Sequence, residues 1–236
     1  MHAIAYDEIH DEIVVPQQFA QSILTFRGAA SGEEPPLRYI QGPLTRLASP
    51  DQLAIDPVNN EIIIPENDSV LVFPREANGN VAPIRVLQGP DAFSDAGMVA
   101  VDPVNNLLIV TGRPAGGTAG ESRGGGGGAI MIFNRADQGN VKPKAMISGP
   151  KVSLGGGNAR VYVYPPRGMI LVVGSGFVGV WSIHDRGDVP PRWTIGGPNG
   201  ILEAVRGVAL DPKHKSVIIS DKRLNALLTY SFPEIF

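Results

Sequence analysis

Cysteine is absent from this chain of 236 residues, and charged residues are scarce. Without a thiol the protein cannot form disulfides, thiolate metal sites, iron–sulfur clusters or a cysteine nucleophile. The 20 basic and 23 acidic residues leave a net charge of −3. Because this balance provides no excess of cations for binding phosphates, we predict no nucleic-acid partner.

Long apolar runs are also missing. No stretch reaches the ~18 apolar residues that a membrane helix needs, so we predict no membrane span. The N-terminus, Met1-His2-Ala3-Ile4, has neither the basic segment nor the apolar core of a signal peptide. A periplasmic or secreted location is expected if such a peptide has been removed, and the residues themselves assign no compartment.

Glycine (29) and proline (21) are abundant, which is typical of many short strands joined by turns. One repeated phrase ends in Gly-Pro and places glycine at 42, 89, 149 and 197, so the spacings are 47, 60 and 48 residues. A second phrase recurs at the same period, with two short apolar strands around a turn such as 56–60. The chain is therefore built from four-stranded repeats.

Five such repeats predict a single all-β domain, a β-propeller with blades at 2–43, 44–90, 91–150, 151–198 and 199–236. The last repeat is too short for its outer strand, so 226–232 is expected to be an exposed edge. Three accounts of this edge remain open. The tail 233–236 caps it, the chain is part of a longer, six-bladed propeller, or a protein partner or neighbouring subunit donates a strand.

The repeats resemble NHL-type propeller repeats, and are similar to TolB-like, lactonase and virginiamycin B lyase-like propellers. The likeness rests on Asp-Pro-x-Asn-Asn turns, on Val70-Leu71-Val72-Phe73 followed by an Ala-x-Gly-Asn turn, and on the phrase at 218–230. Lyases, lactonases, sensors and protein-binding modules share this scaffold, so the resemblance implies a fold and assigns no function.

Several recurring polar and aromatic residues have structural interpretations. Equivalent aspartates are predicted to cap hairpin turns: Asp7, Asp56, Asp102 and Asp211. Arg38 and Arg85 lie on outer strands and are predicted to be solvent-facing edge charges. Trp181 and Trp193 are predicted to pack between blades. The histidines, at 2, 10, 184 and 214, have no close pair with the spacing of a metal motif.

The lactonase resemblance implies single oxygen ligands from several blades around the mouth of the channel, where calcium or magnesium would bind. Loops after the second strands offer such groups: Gln17, Gln18, Glu66, Asn67, Asp68, Ser175, Asp221 and Asn225. Turn caps and solvated loop residues would have the same composition. No cofactor is predicted, with calcium or magnesium as the alternative.

The loops that lead into the inner strands are expected on the opposite side from these candidates, and they carry Gln52, Arg160 and Arg206. Two arginines near a narrow channel can hold a carboxylate or an acidic partner loop, or can pair with a neighbouring aspartate or carbonyl. The third repeat contains a long insertion with five glycines, 124–128. It is a surface loop or a contact arm using Arg113, Glu121 and Arg123.

Motifs for nucleophilic catalysis are missing, since Gly174-Ser175-Gly176 lacks the spacing of a nucleophile elbow. We therefore expect a non-catalytic protein-recognition or assembly module. The alternative is a metal-dependent lactonase, esterase or lyase that acts at the channel mouth.

Overall fold

The computed structural model describes residues 3–116, 127–154, 159–174 and 176–236, which form five antiparallel sheets arranged as a β-propeller. The predicted all-β, five-bladed fold is confirmed, with four strands in each of the first four blades and three in the last. Within these ranges no helix is long and apolar enough to cross a membrane.

Each blade runs from its inner strand, beside the central channel, to its outer strand. Blade 1 contains β1 (Ala5–Asp7), β2 (Glu12–Gln17), β3 (Ser22–Arg27) and β4 (Arg38–Gln41). Blade 2 contains β5 (Ala54–Asp56), β6 (Glu61–Glu66), β7 (Ser69–Pro74) and β8 (Arg85–Gln88). Blade 3 contains β9 (Phe93–Asp102), β10 (Leu107–Pro114), β11 (Ala129–Asn134) and β12 (Ala145–Ser148). Blade 4 contains β13 (Val161–Tyr164), β14 (Met169–Gly174), β15 (Phe177–Ser182) and β16 (Trp193–Gly196), and blade 5 contains β17 (Val205–Asp211), β18 (Ser216–Asp221) and β19 (Ala226–Ser231).

The antiparallel order fixes which loops share a side of the ring. Ser22 pairs with both Gln17 and Gln41, so the hairpin after β2 lies beside the end of β4. We call the segment that leads from an outer strand into the next inner strand a strap. Each strap starts on the same side of the ring as the hairpin after the second strand, and we call this side the strap face. The expectation that the two sets of candidate loops lie on opposite sides was therefore wrong.

Among the described residues the hydrophobic core forms four clusters, each between two successive blades. Alternate strand residues point to opposite faces of a sheet, and the central strands of blades 2 to 4 are buried on both faces. Trp181 is fully buried in the cluster between blades 3 and 4. Trp193 packs edge-on against Phe232 at the boundary with the last blade, so both tryptophans pack between blades as predicted.

A backbone contact, which we call the clamp, fastens each of blades 2, 3 and 4 to the blade before it. The clamp glycines, Gly79, Gly139 and Gly187, each donate an N–H to the preceding outer strand and accept one from it. The donated bonds end on Tyr39, Val86 and Met146, at 2.6, 2.7 and 2.8 Å. These glycines have φ between 69° and 79°, a left-handed conformation that favours glycine.

Glu–Arg–Arg triads join blades 1 to 2 and 2 to 3. Glu61 receives two bonds from Arg85 of its own blade, at 2.8 and 2.7 Å, and one from Arg135 of the next blade at 2.7 Å. Glu12 bonds Arg38 and Arg75 in the same manner, at 2.6 and 3.0 Å. The prediction that Arg38 and Arg85 are solvent-facing edge charges was wrong, because both guanidinium groups are largely covered at a blade interface.

The next two interfaces use apolar residues at the positions of the triads. Strand register makes Leu107, Ala145 and Ile183 equivalent to Glu61, Arg85 and Arg135, and all three are buried in one cluster. Met169, Trp193 and Phe232 occupy these positions at the boundary between blades 4 and 5. Packed apolar residues of similar volume can replace a buried ionic group, because they avoid the cost of desolvating charge.

The predicted turn caps are confirmed. Asp56 accepts the backbone N–H of Asn59 at 3.0 Å and its side-chain amide at 2.8 Å, and Asp102 binds Asn105 in the same way. In the first and last blades histidine replaces this asparagine. His10 Nδ1 lies 2.8 Å from Asp7, and His214 Nδ1 lies 2.7 Å from Asp211.

The C-terminal tail packs against blade 4 and does not pair with β19. Pro233–Ile235 forms a 3₁₀ turn, and Ile235 is fully buried in the cluster between blades 4 and 5. Phe236 packs on Tyr164 at 5.0 Å between ring centroids, and its carbonyl accepts a bond of 2.6 Å from Arg167. The account in which the tail caps the edge was therefore wrong.

Candidate binding site at the channel mouth

A cavity of about 420 Å³ opens at the mouth of the channel on the strap face. Four blades contribute to its lining: Ala3, Ile4, Gln52, Leu53, Met98, Val99, Arg160, Val161 and Tyr162. Its nitrogen-bearing side chains are Gln52 and Arg160, which occupy equivalent positions two residues before β5 and one residue before β13. The structure thus brings together two of the three residues that the sequence analysis placed here.

Gln52 has a buried Nε2 that finds no hydrogen-bond acceptor in the part of the chain that the structure describes. A buried donor without a partner carries a desolvation cost, and a ligand oxygen would remove that cost. Arg160 adds a guanidinium group, which binds carboxylates in a bidentate manner. Apolar walls from Leu53, Met98 and Val99 surround these groups, as in many small ligand sites.

Arg206 lies outside the lining of this cavity. Strand β17 shifts its register between Val205 and Gly207, and Arg206 is the unpaired residue of this bulge. A bulge re-aims the side chain of its extra residue, and Arg206 is exposed. Blade 3 has the equivalent bulge, which leaves Gly97 unpaired between Ala96 and Met98. Sequence spacing could not reveal either shift, because a bulge changes the pairing of a strand and not the length of the repeat.

Glu66, a predicted oxygen ligand, anchors a strap. Its carboxylate accepts the backbone N–H groups of Ala48 and Ser49 at 3.0–3.3 Å. Burial raises the pKa of Glu66 above its ordinary value, and the two N–H donors only partly oppose this. The residue therefore holds the strap of blade 2 in place.

Asp221 occupies the position in blade 5 that is equivalent to Glu66. Its Oδ2 accepts the N–H groups of Glu203 and Ala204, at 2.8 and 2.9 Å, in the strap of its own blade. Its Oδ1 accepts two more in the turn 223–224. Burial acts to raise the pKa of Asp221, but the four backbone donors together lower it by more. The pKa therefore lies below its ordinary value.

The remaining candidate residues are spread over the strap face. They form no common site with Glu66 of blade 2 or with Asp221 of blade 5. The Asn67 carbonyl accepts the Ala96 N–H at 2.9 Å, and Asp68 lines a separate cavity of about 300 Å³. Gln18 donates to Ser49, Asn225 has a left-handed φ of 50° in its hairpin, and Arg113 pairs with Asp95 at 3.1 Å. Ser175, Glu121 and Arg123 lie outside the described residues.

Metal ligands are not clustered in the described ranges. No group of three or more His, Asp or Glu side chains there could hold a metal ion. The carboxylates of Glu66 and Asp221 already accept hydrogen bonds from backbone N–H groups. The calcium or magnesium site stays a prediction.

A larger cavity, of about 610 Å³, lies between the outer part of blade 4 and the strap of blade 5. Thr194, Gly197 and Pro198 line it, and they are equivalent to outer-strand positions that the clamps contact in blades 1 to 3. No described residue of blade 5 forms a clamp with this outer strand. This cavity was not predicted from the sequence.

Comparison with known proteins supports the fold alone. No family model matches the sequence, and no curated protein matches it. Among solved structures, the chain is similar to the β-propeller domain of Cps50 (Swd1) from Myceliophteria thermophila, with a TM-score of 0.58 and 8% identity. The match covers 94% of this chain and 62% of that one. The NHL relationship therefore stays an interpretation of the repeat motif.

Proposed function

We propose that this protein is a non-catalytic recognition module whose channel mouth binds a carboxylate-bearing segment of a protein partner. The observation that carries the proposal is the buried, unpartnered Nε2 of Gln52 in the same cavity as Arg160. An amide donor and a guanidinium group together match the two oxygens of a carboxylate, from an acidic side chain or from a chain terminus.

The surrounding framework supports binding by a preformed site. The straps that lead to the channel are held by buried or N–H-bonded carboxylates at Glu66 and Asp221. A rigid site loses little conformational entropy when a ligand binds, so a few polar contacts suffice for measurable affinity. The β-propeller is a fold that often serves as a scaffold for protein binding, which agrees with this role.

The test measures the fluorescence anisotropy of a labelled hexaglutamate peptide with a free C-terminus, and uses a hexalysine peptide as the control ligand. Arg160→Gln and Gln52→Leu are each expected to weaken binding about tenfold or more, as for the loss of a hydrogen bond to a charged group. Arg206→Gln is the matched control, because Arg206 is an exposed arginine outside the cavity. Equal weakening by Arg160→Gln and Arg206→Gln, or no binding by the original chain, would refute the proposal.

A further inference from the structure

The inner turns, which join the first and second strands of each blade, carry exposed apolar residues at one equivalent position. These turns lie at the ends of the sheets opposite to the strap face, and we call this side the turn face. Two residues after the cap position, blades 1 to 3 have Ile9, Val58 and Val104, which are 58%, 61% and 69% exposed. Pro166 of blade 4 is exposed at the same position, and blade 5 has Lys213 there.

The fold does not require these apolar residues. In blades 2 and 3 each turn is held by the aspartate cap, which binds the asparagine three residues later at 2.8–3.0 Å. Val58 and Val104 lie between the bonded residues and are largely exposed to solvent. Exposed apolar residues that are grouped together mark an interaction site more often than a structural need.

Neighbouring inner turns are in contact, so these residues are grouped on adjoining turns. Asn105 in the turn of blade 3 donates its side-chain amide to the carbonyl of Pro165 in the turn of blade 4, at 3.2 Å. Arg135 joins the turns of blades 2 and 3, because its Nε bonds Asn106 at 2.9 Å and lies 3.8 Å from Asp56. The middle of the turn face is therefore uncharged at its tips and apolar.

Charged side chains divide the inner turns into an acidic end and a basic end. The exposed acidic residues are Glu8 and Asp11 in blade 1. The exposed basic residues are Arg167 in blade 4 and Lys213 and Lys215 in blade 5. The turns of blades 2 and 3, at 57–60 and 103–106, contain no charged residue. The net charge of −3 for the whole chain does not reveal this separation.

The loops before the outer strands continue the same division. Glu33 of blade 1 and Glu76 of blade 2 are exposed on the acidic side, and Arg186 of blade 4 is exposed on the basic side. Arg27 and Arg192 are paired with Glu34 and Asp185 and add no net charge. The exceptions are Lys142 and Lys144, beside the outer strand of blade 3, and Glu234 in the C-terminal tail.

A second copy of this chain complements the turn face when two rings meet face to face. We place a two-fold axis in the plane between the rings, along the radius of blade 3. Blade 1 then lies on blade 5 of the second copy, and blade 2 lies on its blade 4. Val104 meets Val104 of the second copy, Val58 meets Pro166, and the acidic turn of blade 1 meets the basic turn of blade 5. This is the isologous contact expected of a symmetric dimer.

We propose that this chain forms a homodimer through its turn faces, with the two-fold axis at blade 3. Apolar tips form the centre of the contact and charged turns form its ends, which is the usual anatomy of a protein interface. Lys213 can lay its alkyl stem on Ile9 while its ammonium group reaches Glu8. The strap face, with Gln52 and Arg160, stays open in this dimer, so the inference does not depend on the function proposed for that cavity.

The first test measures the dimer by sedimentation equilibrium at about 1–100 µM protein, a range that detects micromolar dissociation constants. We expect a dimer whose dissociation constant increases with salt, because exposed ion pairs are screened. Val104→Lys is expected to raise this constant about tenfold or more, since two lysines would meet on the axis. Phe19→Lys is the matched control, because Phe19 is 98% exposed in the hairpin after β2, on the strap face.

A second test exchanges the charges and examines the axis itself. One double variant carries Glu8→Lys and Asp11→Lys, and the other carries Lys213→Glu and Lys215→Glu. Each variant alone brings like charges together at both ends of the contact, so we expect about tenfold weaker dimers or monomers. An equimolar mixture is expected to form heterodimers, because blade 1 of each variant then meets the opposite charge on blade 5 of the other.

The proposal is overturned if the original chain sediments as a monomer over the whole concentration range, or if Val104→Lys leaves the dissociation constant unchanged. A dimer that Phe19→Lys dissociates would place the contact on the strap face and would also overturn it. Failure of the two charge variants to associate when mixed would exclude this pairing of blade 1 with blade 5.

Discussion

Gly89 and Asn140 contact each other across the interface between blades 2 and 3. A Cβ on residue 89 would lie 2.5 Å from Asn140 Oδ1, and this same oxygen accepts the N–H of Asp91 at 2.8 Å. Gly42 meets Asn80, and Gly149 meets Asp188, with the same geometry. The Gly-Pro and Gly-Asn phrases of the sequence are therefore the two sides of one contact between blades.

We expect Gly89→Ala to lower the free energy of unfolding by about 3 kcal/mol, since the methyl group both clashes with Asn140 and strains a positive φ. Gly197→Ala separates these two causes. Gly197 has a φ of 101°, but no atom lies within 4 Å of its Cβ position, so only about 1–2 kcal/mol from strain is expected. Urea unfolding measures both variants, and equal losses would show that contact with Asn140 contributes nothing.

Glu61 is the centre of an ionic triad whose equivalent in the next interface is apolar. Removal of the carboxylate alone, by Glu61→Leu, leaves Arg85 and Arg135 without their partner and is expected to cost about 3–5 kcal/mol. Adding Arg85→Ala and Arg135→Ile copies the Leu107, Ala145 and Ile183 arrangement and is expected to recover most of that loss. A triple variant as unstable as Glu61→Leu would contradict the equivalence of the two interfaces.

Acid is expected to weaken the same interfaces. Burial acts to raise the pKa of Glu12 and of Glu61, but the hydrogen bonds from the arginines lower each pKa by more. Both pKa values therefore lie below the ordinary value of 4.5. A lowered pKa in the folded state contributes stability above pH 4.5, and this contribution disappears as pH falls through the folded values.

Glu66 has the opposite effect on stability. Because its pKa is raised in the folded state, protonation of its carboxylate at low pH favours folding. Lowered pKa values at Glu12, Glu61, Asp185 and Asp221 oppose this one raised value, so we expect stability to fall below about pH 4.5. Unfolding midpoints measured from pH 7 to pH 3 test this. The triple variant at Glu61, Arg85 and Arg135 is expected to lose less between these pH values than the original chain, and an identical loss would exclude Glu61 as a cause.

Calcium and chelator are expected to leave the unfolding midpoint unchanged. The oxygens of Asp221 accept four backbone N–H groups, and those of Glu66 accept two, so a cation would compete with bonds that hold the straps. Scanning calorimetry with 5-fold excess calcium, magnesium or EDTA tests this, where a bound ligand would raise the midpoint in proportion to the logarithm of its concentration. A rise with either ion would revive the lactonase-type site.

The repeat phrases were sufficient to predict the strands, the turn caps and the number of blades, because these depend on local chemistry. Asp56 caps its turn through groups three residues away, and Ile62-Ile63-Ile64 forms a strand buried on both faces. The partners of Arg38 and Arg85 were not predictable in the same way. Glu12 and Glu61 lie 26 and 24 residues earlier in the sequence and reach these arginines only across the twisted sheet.

The sequence by itself determined a five-bladed propeller, since a regular alternation of apolar strands and turn residues has few other ways to bury both faces of the sheets in blades 2 to 4. Tertiary structure alone decided which polar groups meet. Arg206 leaves the channel mouth through a bulge, Glu66 and Asp221 bind straps, and Gln52 and Arg160 converge in one cavity. Such convergence depends on the register and twist of separate sheets, which follow from packing over the whole ring and leave no local mark in the sequence.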